Sequence, residues 1–355
     1  MRFPEFSGEW ERYRLDECVT FLDEKRKPIK SSDRVSEKGL YPYYGASGII
    51  DRIDNFIFDD DLVLLSEDGA NILDRNYRVA FIVRGKAWIN NHAHVLKPNC
   101  HTDIVFLSES LERIDYAPYN TGTTMPKLNQ EVCRGIMLYM PTPTEQAKIG
   151  SLLKLVNERI EAQSKIIEEQ ETLLKSLADK LFLKNNHSCQ LSELVNIVKG
   201  KQLNADTLSE TGDYYVMNGG ITPSGYYSEH NVPPGAISIS EGGGSCGYVQ
   251  FNEKPFWSGG HCYSLQCKTN LVDYKYIYYY LKAKQSDVMA LRIGSGLPNI
   301  QKKDLEKFTI AYPSLQLQKQ FVKALDALSG KINTEKHLLE KYCQQKSYFL
   351  SQMFI

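Results

Sequence analysis

At 355 residues, 42% of them apolar, the chain is long enough for two or three domains with ordinary cores. Its 42 Lys and Arg stand against 43 Asp and Glu, a net charge of −1. That balance excludes a uniformly basic surface and confines any polyanion contact to a local face or to partner subunits. The opening residues, Met1 to Trp10, contain no apolar export core, and no run approaches the ~18 apolar residues of a membrane span. Eight cysteines, with no Cys-x-x-Cys pair, point to free thiols in a reducing cytoplasm rather than to disulfides or a structural zinc site.

In chain order, residues 1–143 read as a β-rich globule. Asn55–Phe58, Leu62–Leu65 and Val79–Val83 are its short strands, separated by Gly, Asp and Asn. Its charge is −4, from 18 basic and 22 acidic residues. The acidic run Asp59–Asp61 reads as a solvated turn.

Residues 144–185 follow as a heptad helix. Ile149, Leu153, Val156, Ile160, Gln163, Ile167, Gln170, Leu174, Leu177 and Leu181 step by 4,3,4,3 throughout, the seam of a coiled coil. Residues 186–312 form a second globule with strands at Tyr214–Met217, Ala236–Ile239, Gly247–Phe251 and Cys262–Gln266, and a helix over 274–284. Residues 313–355, of charge +3, make a second heptad helix with Phe321, Leu325, Leu328, Ile332, Glu335, Leu339, Tyr342, Lys346, Phe349 and Met353 in register.

The second half of the chain repeats the first. At an offset of 172, Gly122-Thr-Thr-Met-Pro126 falls on Gly294-Ser-Gly-Leu-Pro298, Pro141 on Pro313, Gln146 on Gln318 and Phe182 on Phe354. Weaker correspondences set Ser66–Asn71 over Ser240–Ser245 and Trp88 with His92 over Trp257 with His261. The expected fold class is therefore α+β: two mixed, β-rich domains separated by two long antiparallel coiled-coil helices, in a pseudo-two-fold internal repeat. An antiparallel return is expected because it buries both apolar seams. In that register Gln163 meets Leu339 and Lys346 meets Val156, leaving polar seam groups without mutual partners. Each such buried group would cost about 1 to 3 kcal/mol, which suggests that partner helices complete a bundle.

Catalytic motifs do not emerge. The chain has no Gly-x-x-x-x-Gly-Lys-Ser/Thr phosphate loop, no Gly-x-Ser-x-Gly elbow, and no amino-methylation motif of the Asn/Asp-Pro-Pro-Tyr type. No metal site is expected. A non-catalytic binding subunit is favoured over an enzyme.

Arg2–Trp10, Tyr41–Ile50 and the Pro-x-x-x-Glu-Gln-x-x-Ile segment at Pro141–Ile149 resemble the DNA specificity (S) subunits of type I restriction-modification systems, and the order of domains and helices does so over nearly the whole chain. The resemblance implies a subunit that reads a bipartite site in double-stranded DNA, one half per target recognition domain. Its helices would set the gap and dock two methyltransferase (M) subunits, with endonuclease and translocase (R) subunits completing the complex. S-adenosylmethionine, ATP and Mg²⁺ would belong to those partners, and no cofactor to this chain. The second copy departs from the pattern, reading Gln316-Leu317-Gln318 where the first has Glu145-Gln146.

Phosphate contacts need Lys or Arg, while base readout needs donors and acceptors at base edges. On that basis Lys25, Arg26, Lys27 and Lys30 are the expected phosphate contacts of the first domain, and Tyr43, Tyr44, Ser47, Asn71, Asn90, Asn91 and His92 its reading face. In the second domain Lys199, Lys201 and Gln202 match the basic segment, with Asn218, Ser240, Ser245 and His261 near the face. Seam and docking residues are Ile149, Leu153, Val156, Ile160, Gln163, Ile167, Gln170 and Leu174 on the first helix and Phe321, Leu325, Leu328, Ile332, Leu339 and Lys346 on the second. The alternative is a coiled-coil scaffold that binds protein without DNA specificity of its own.

Overall fold

The computed structural model describes residues 2–34, 39–183, 187–294 and 296–354. Positions 1, 35–38, 184–186, 295 and 355, which fall in the expected segments, lie outside the described residues. The chain divides into two compact units, residues 1–163 with 338–355, and residues 164–337. Each unit takes one globule and part of each long helix.

In the first unit a four-stranded antiparallel sheet runs in the order Val19–Phe21, Ala93–Pro98, Leu62–Ser66, Ala80–Val83. Leu62–Ser66 is central and buried along its whole length, which is why it reads as a near-continuous apolar run rather than an alternating one. A second sheet orders Gly48–Ile53, Tyr41–Gly45, Lys86–Ile89, Phe58–Asp59, and its Tyr41–Gly45/Lys86–Ile89 pair is parallel. Of the expected strand at 55–58, Phe58 alone pairs, because the residues before it turn. Glu11–Arg14 and Met137–Met140 close the globule by bringing its two ends side by side.

The second unit repeats the plan. Its four-stranded sheet is ordered Val195–Lys199, Cys262–Cys267, Ala236–Ser240, Val249–Asn252. Its second sheet contains the parallel pair Tyr214–Met217/Trp257–Ser258, and His187–Gln190 pairs with Thr309–Tyr312 to close the globule.

The long helices span Pro143–Phe182 and Leu315–Met353. The heptad positions are mostly buried or half-buried while most others are exposed, so the 4,3 spacing marks the packed stripe. The helices run antiparallel in each unit: Arg159 lies over the Tyr342 ring in the first, and Lys336 bridges to Glu171 at 2.6 Å in the second. Their seams merge into the cores of the globules. Ile149, Leu153 and Met353 join Phe106, Leu107 and Leu111, while Ala178, Phe182, Phe321 and Leu325 join Tyr276, Ile277 and Leu281.

One expectation is corrected here. Lys346 does not stand unpaired opposite Val156. Its Nζ lies 3.0 Å from Glu109 Oε1, a carboxylate also bound by Arg78 (2.9 Å) and Asn157 (3.2 Å). Burial alone would raise the Glu109 carboxyl, but the Arg78 and Lys346 charges outweigh it and hold it below the usual range. The seam cation therefore meets an anion supplied by the globule, which heptad spacing does not reveal. A seam atom that does go unmet is Gln170 Oε1, which is buried without a hydrogen bond.

A glutamine roots each globule on its helix. Gln146 Oε1 accepts from the Asp103 backbone N–H (3.1 Å) and its Nε2 donates to the Pro141 carbonyl (2.8 Å). Gln318 does the same with Asp273 (2.7 Å) and Pro313 (2.8 Å). Each aspartate then caps a helix, Ile104–Glu112 or Tyr274–Ala283, by accepting two backbone N–H bonds. Gly150 permits the close approach in the first copy, since a Cβ there would collide with the Asp103 carboxylate. Replacing Gln146 or Gln318 with Ala should destabilise the protein by about 1 to 3 kcal/mol, because two buried backbone groups lose their partners. Urea unfolding of each variant measures this, and a Glu replacement, which sets a buried carboxylate against the Pro141 or Pro313 carbonyl, should destabilise at least as much.

Candidate nucleic-acid interface

In the first globule the basic segment follows the strand Val19–Phe21 and wraps a turn that is fixed from below. The Trp88 indole N–H donates to the Lys27 carbonyl (2.6 Å), and the Lys27 N–H donates to the Ile89 carbonyl. The second globule uses the same device: Trp257 donates to the Lys201 carbonyl (2.9 Å), and Lys201 N–H to the Ser258 carbonyl. The tryptophans thus act as brackets for the basic segments. Lys25 and Lys30 are exposed, as are Lys201 and Gln202, and Lys27 and Lys199 lie on the same segments.

Arg26 is different. It is half-buried, donating to Glu67 Oε2 (2.5 Å) and to the Ala93 carbonyl (2.8 Å), so its charge is already engaged. Lys199 donates likewise to Glu241 (2.7 Å), while its side chain remains largely exposed.

The expected reading faces divide by depth. Asn91, His92 and Ser47 are exposed, and so is His261; Tyr44, Asn71, Asn218 and Ser245 are half-buried. Three residues expected on the faces, Tyr43, Asn90 and Ser240, lie in the interior. The Tyr43 hydroxyl accepts from the Ile29 N–H (3.0 Å), Asn90 Oδ1 from the His92 N–H (2.9 Å), and Ser240 Oγ donates to the Gly219 carbonyl (2.6 Å). As polar groups in turns they looked available, but the turns themselves consume them. Asn218 mirrors Asn90, accepting from the His261 N–H at 3.1 Å. Asn71 is tied to both backbone groups of Tyr77.

Behind each face sits a buried group that pattern reading does not single out. In the first copy His94 places Nδ1 2.6 Å from Asp23 and Nε2 2.8 Å from the Leu128 carbonyl. Both partners are acceptors, so both ring nitrogens carry protons and His94 is an imidazolium. Burial disfavours that charge, but the hydrogen bond to Asp23, then Cys133 and the Asp23 charge, carry it up to about 10. Asp23 is held low by His94, the Val95 N–H and Arg26 against its own burial. In the second copy Tyr263 takes this place, its hydroxyl lying 3.0 Å from Glu241 Oε1 and 3.1 Å from the Ile300 carbonyl. Burial, then Glu241, pushes that phenol above its ordinary range. The signal available in sequence was Ser66-Glu67 over Ser240-Glu241, an alignment of turns that contained the buried acid.

Matched basic segments and polar turns on two copies of one α+β plan define a duplicated binding protein. A family model described as the type I restriction modification DNA specificity domain matches residues 7–171 and again 184–341. The chain belongs to that family. A Haemophilus influenzae protein named as a putative type I restriction enzyme specificity subunit is 26% identical, over 92% of this chain and 89% of the relative. A Mycoplasma genitalium protein named as a putative type I specificity subunit is 23% identical, over 97% and 94%. The crystal structure of a type I S subunit from M. genitalium superposes with a TM-score of 0.75 at 21% identity, covering 100% of this chain and 99% of that one, which shows the shared fold.

Two outcomes test the electrostatics. Replacing Lys25, Lys27 and Lys30 together with Ala should weaken binding to all duplexes alike and shrink the slope of log K against log salt by about 0.9 for each phosphate no longer neutralised. Salt titration of wild type and variant reads this directly, and an unchanged slope removes the segment from the interface. The second concerns His94. A group whose protonation is favoured by folding contributes fully below its unfolded value of about 6.5 and loses that contribution as pH climbs toward 10. Stability should accordingly decline between about pH 7 and 10, as followed by denaturant midpoints, and His94→Gln should flatten the decline.

Proposed function

We propose that the chain directs a type I restriction-modification complex to a bipartite site in double-stranded DNA. Each globule reads one half-site, and the two long helices fix the unspecified gap. The observation that carries this reading is the duplication itself. Two globules keep the same four-stranded sheet, the same tryptophan bracket beneath a basic segment and the same glutamine root, while several residues of their turns, such as Asn71 against Ser245, differ. One scaffold carrying two different surfaces is what reading two different sequences requires.

In this reading the chain itself is not catalytic. Two M subunits dock on the helices, where Leu155, Ile166 and Leu173 of the first stand exposed beside the seam and Gln170 keeps an unmet acceptor. R subunits complete the assembly, and S-adenosylmethionine, ATP and Mg²⁺ are held by the partners. The setting is the cytoplasm. Among the described residues no helix is long and apolar enough to cross a membrane.

Expressing the chain with its M subunits in a methylation-free host and mapping modified adenines across the genome tests the reading. A single interrupted motif is expected, and exchanging the segment 186–312 for that of a relative should change one half of it and leave the other. Methylation without sequence preference, or none dependent on this chain, would overturn the proposal and favour a protein-binding scaffold.

A further inference from the structure

A short turn carrying a proline stands at the same place in both copies, and described residues on either side of it are tied to each other in each. In the first unit Thr121 N–H donates to the Lys127 carbonyl (2.8 Å), and Asn120 Oδ1 accepts from Gly122 and Lys127 N–H (3.0 and 2.9 Å). In the second unit Ile293 and Asn299 exchange both backbone bonds, at 2.9 and 3.0 Å. The loop is then tied to the turn that follows the central strand. Gly69 N–H donates to the Pro126 carbonyl (3.0 Å) and Leu128 N–H to that of Glu67 (2.7 Å); Gly243 N–H donates to the Pro298 carbonyl (3.0 Å) and Ile300 N–H to that of Glu241 (2.8 Å). The buried rings of His94 and Tyr263 hold the next carbonyl from beneath.

In each copy the residue before the proline is left outside, and in the second Ile293 at the base of the turn is exposed as well. Met125 is 60% exposed and Leu297 84% exposed, each immediately before the proline. Proline fixes its own φ and confines the preceding residue to extended backbone, so the tip residue has little freedom to fold back. A lone exposed apolar residue is ordinary on any protein. An apolar residue before the proline of the same turn in both copies, Met125 in one and Leu297 in the other, is not. The turn it leans on adjoins the histidine turn, since Glu67 and Glu241 N–H donate to the His92 and His261 carbonyls (2.9 Å each).

We infer that Met125 and Leu297 are base-contacting residues, each making an apolar contact to a thymine methyl group in its own half-site. The inference rests on the DNA-reading function proposed above. The 5-methyl of thymine is the apolar feature offered along the major groove, and the neighbouring Asn, Ser and His groups supply hydrogen bonds while this tip supplies none. The difference between a flexible thioether and a branched aliphatic chain suits two half-sites that differ.

The test uses the full chain assembled with its M subunits and duplexes in which each thymine of the recognised site is replaced singly by uracil, which lacks the methyl. Wild type should bind about fivefold to thirtyfold more weakly at one such position in each half-site. Met125→Ala should show a similar loss on the normal duplex in one half-site only and become indifferent to uracil there, and Leu297→Ala should do so in the other. Because both tips are exposed, the unfolding midpoints should be those of wild type. Additive losses from uracil and alanine, no uracil-sensitive position, or variants that fail to assemble with M subunits while binding normally would each overturn the inference, the last assigning the tips to protein contact. Absence of any sequence preference in the wild-type complex would instead be the failure of the DNA-reading function.

Discussion

The constraint on which the rest depends is the pairing of a buried side-chain amide with the start of a capped helix. Gln146 and Gln318 are 2% and 0% exposed, yet each offers its donor and its acceptor to backbone groups on either side of the junction between globule and long helix. An amide in that position has no alternative partner in water, so its geometry is obligatory. It sets the angle at which the long helix leaves, and through Asp103 and Asp273 it sets the short helix that backs the central sheet. A globule rooted this way can change its exposed turns without changing how it meets the helix.

Around that shared root the copies have gone separate ways electrostatically. Glu145, fully buried, is held by Arg2 through two bonds of 2.7 Å in the first copy, where the second has Leu317. On the first helix–globule boundary the carboxylate is Glu109 of the globule and the cation Lys346 of the helix; on the second, Lys275 belongs to the globule and Asp326 to the helix, at 2.8 Å. The reversal keeps a bridge in each unit while exchanging which charge belongs to the helix and which to the globule. His94 against Tyr263 is a further case: a charged ring and a neutral one perform the same backbone anchoring, and one of them ties the fold to pH.

The heptad was legible because 4,3 spacing on a 1.5 Å rise leaves a single way to bury an apolar stripe. The central strands were legible as apolar runs, and the repeat as a shared offset. The reading faces were not comparably legible. Asn90 and Ser240 carry the same chemistry as Asn91 and Ser47, and nothing in one dimension separates a polar side chain that closes a turn from one that faces outward. Arg26 lies between Lys25 and Lys27, yet its guanidinium is spent on Glu67, forty-one positions away.

The sequence by itself determined the duplication, the periodic seams and the absence of a uniformly basic surface, since these follow from local spacing and from charge summed along the chain. Tertiary structure decided which charges are spoken for and which polar groups are free to meet a ligand. Lys346 with Glu109, His94 with Asp23 and Met125 beside the glycine-containing turn are meetings of residues far apart in sequence. Burial and hydrogen bonding are settled by neighbours in space, and only the folded chain brings those neighbours together.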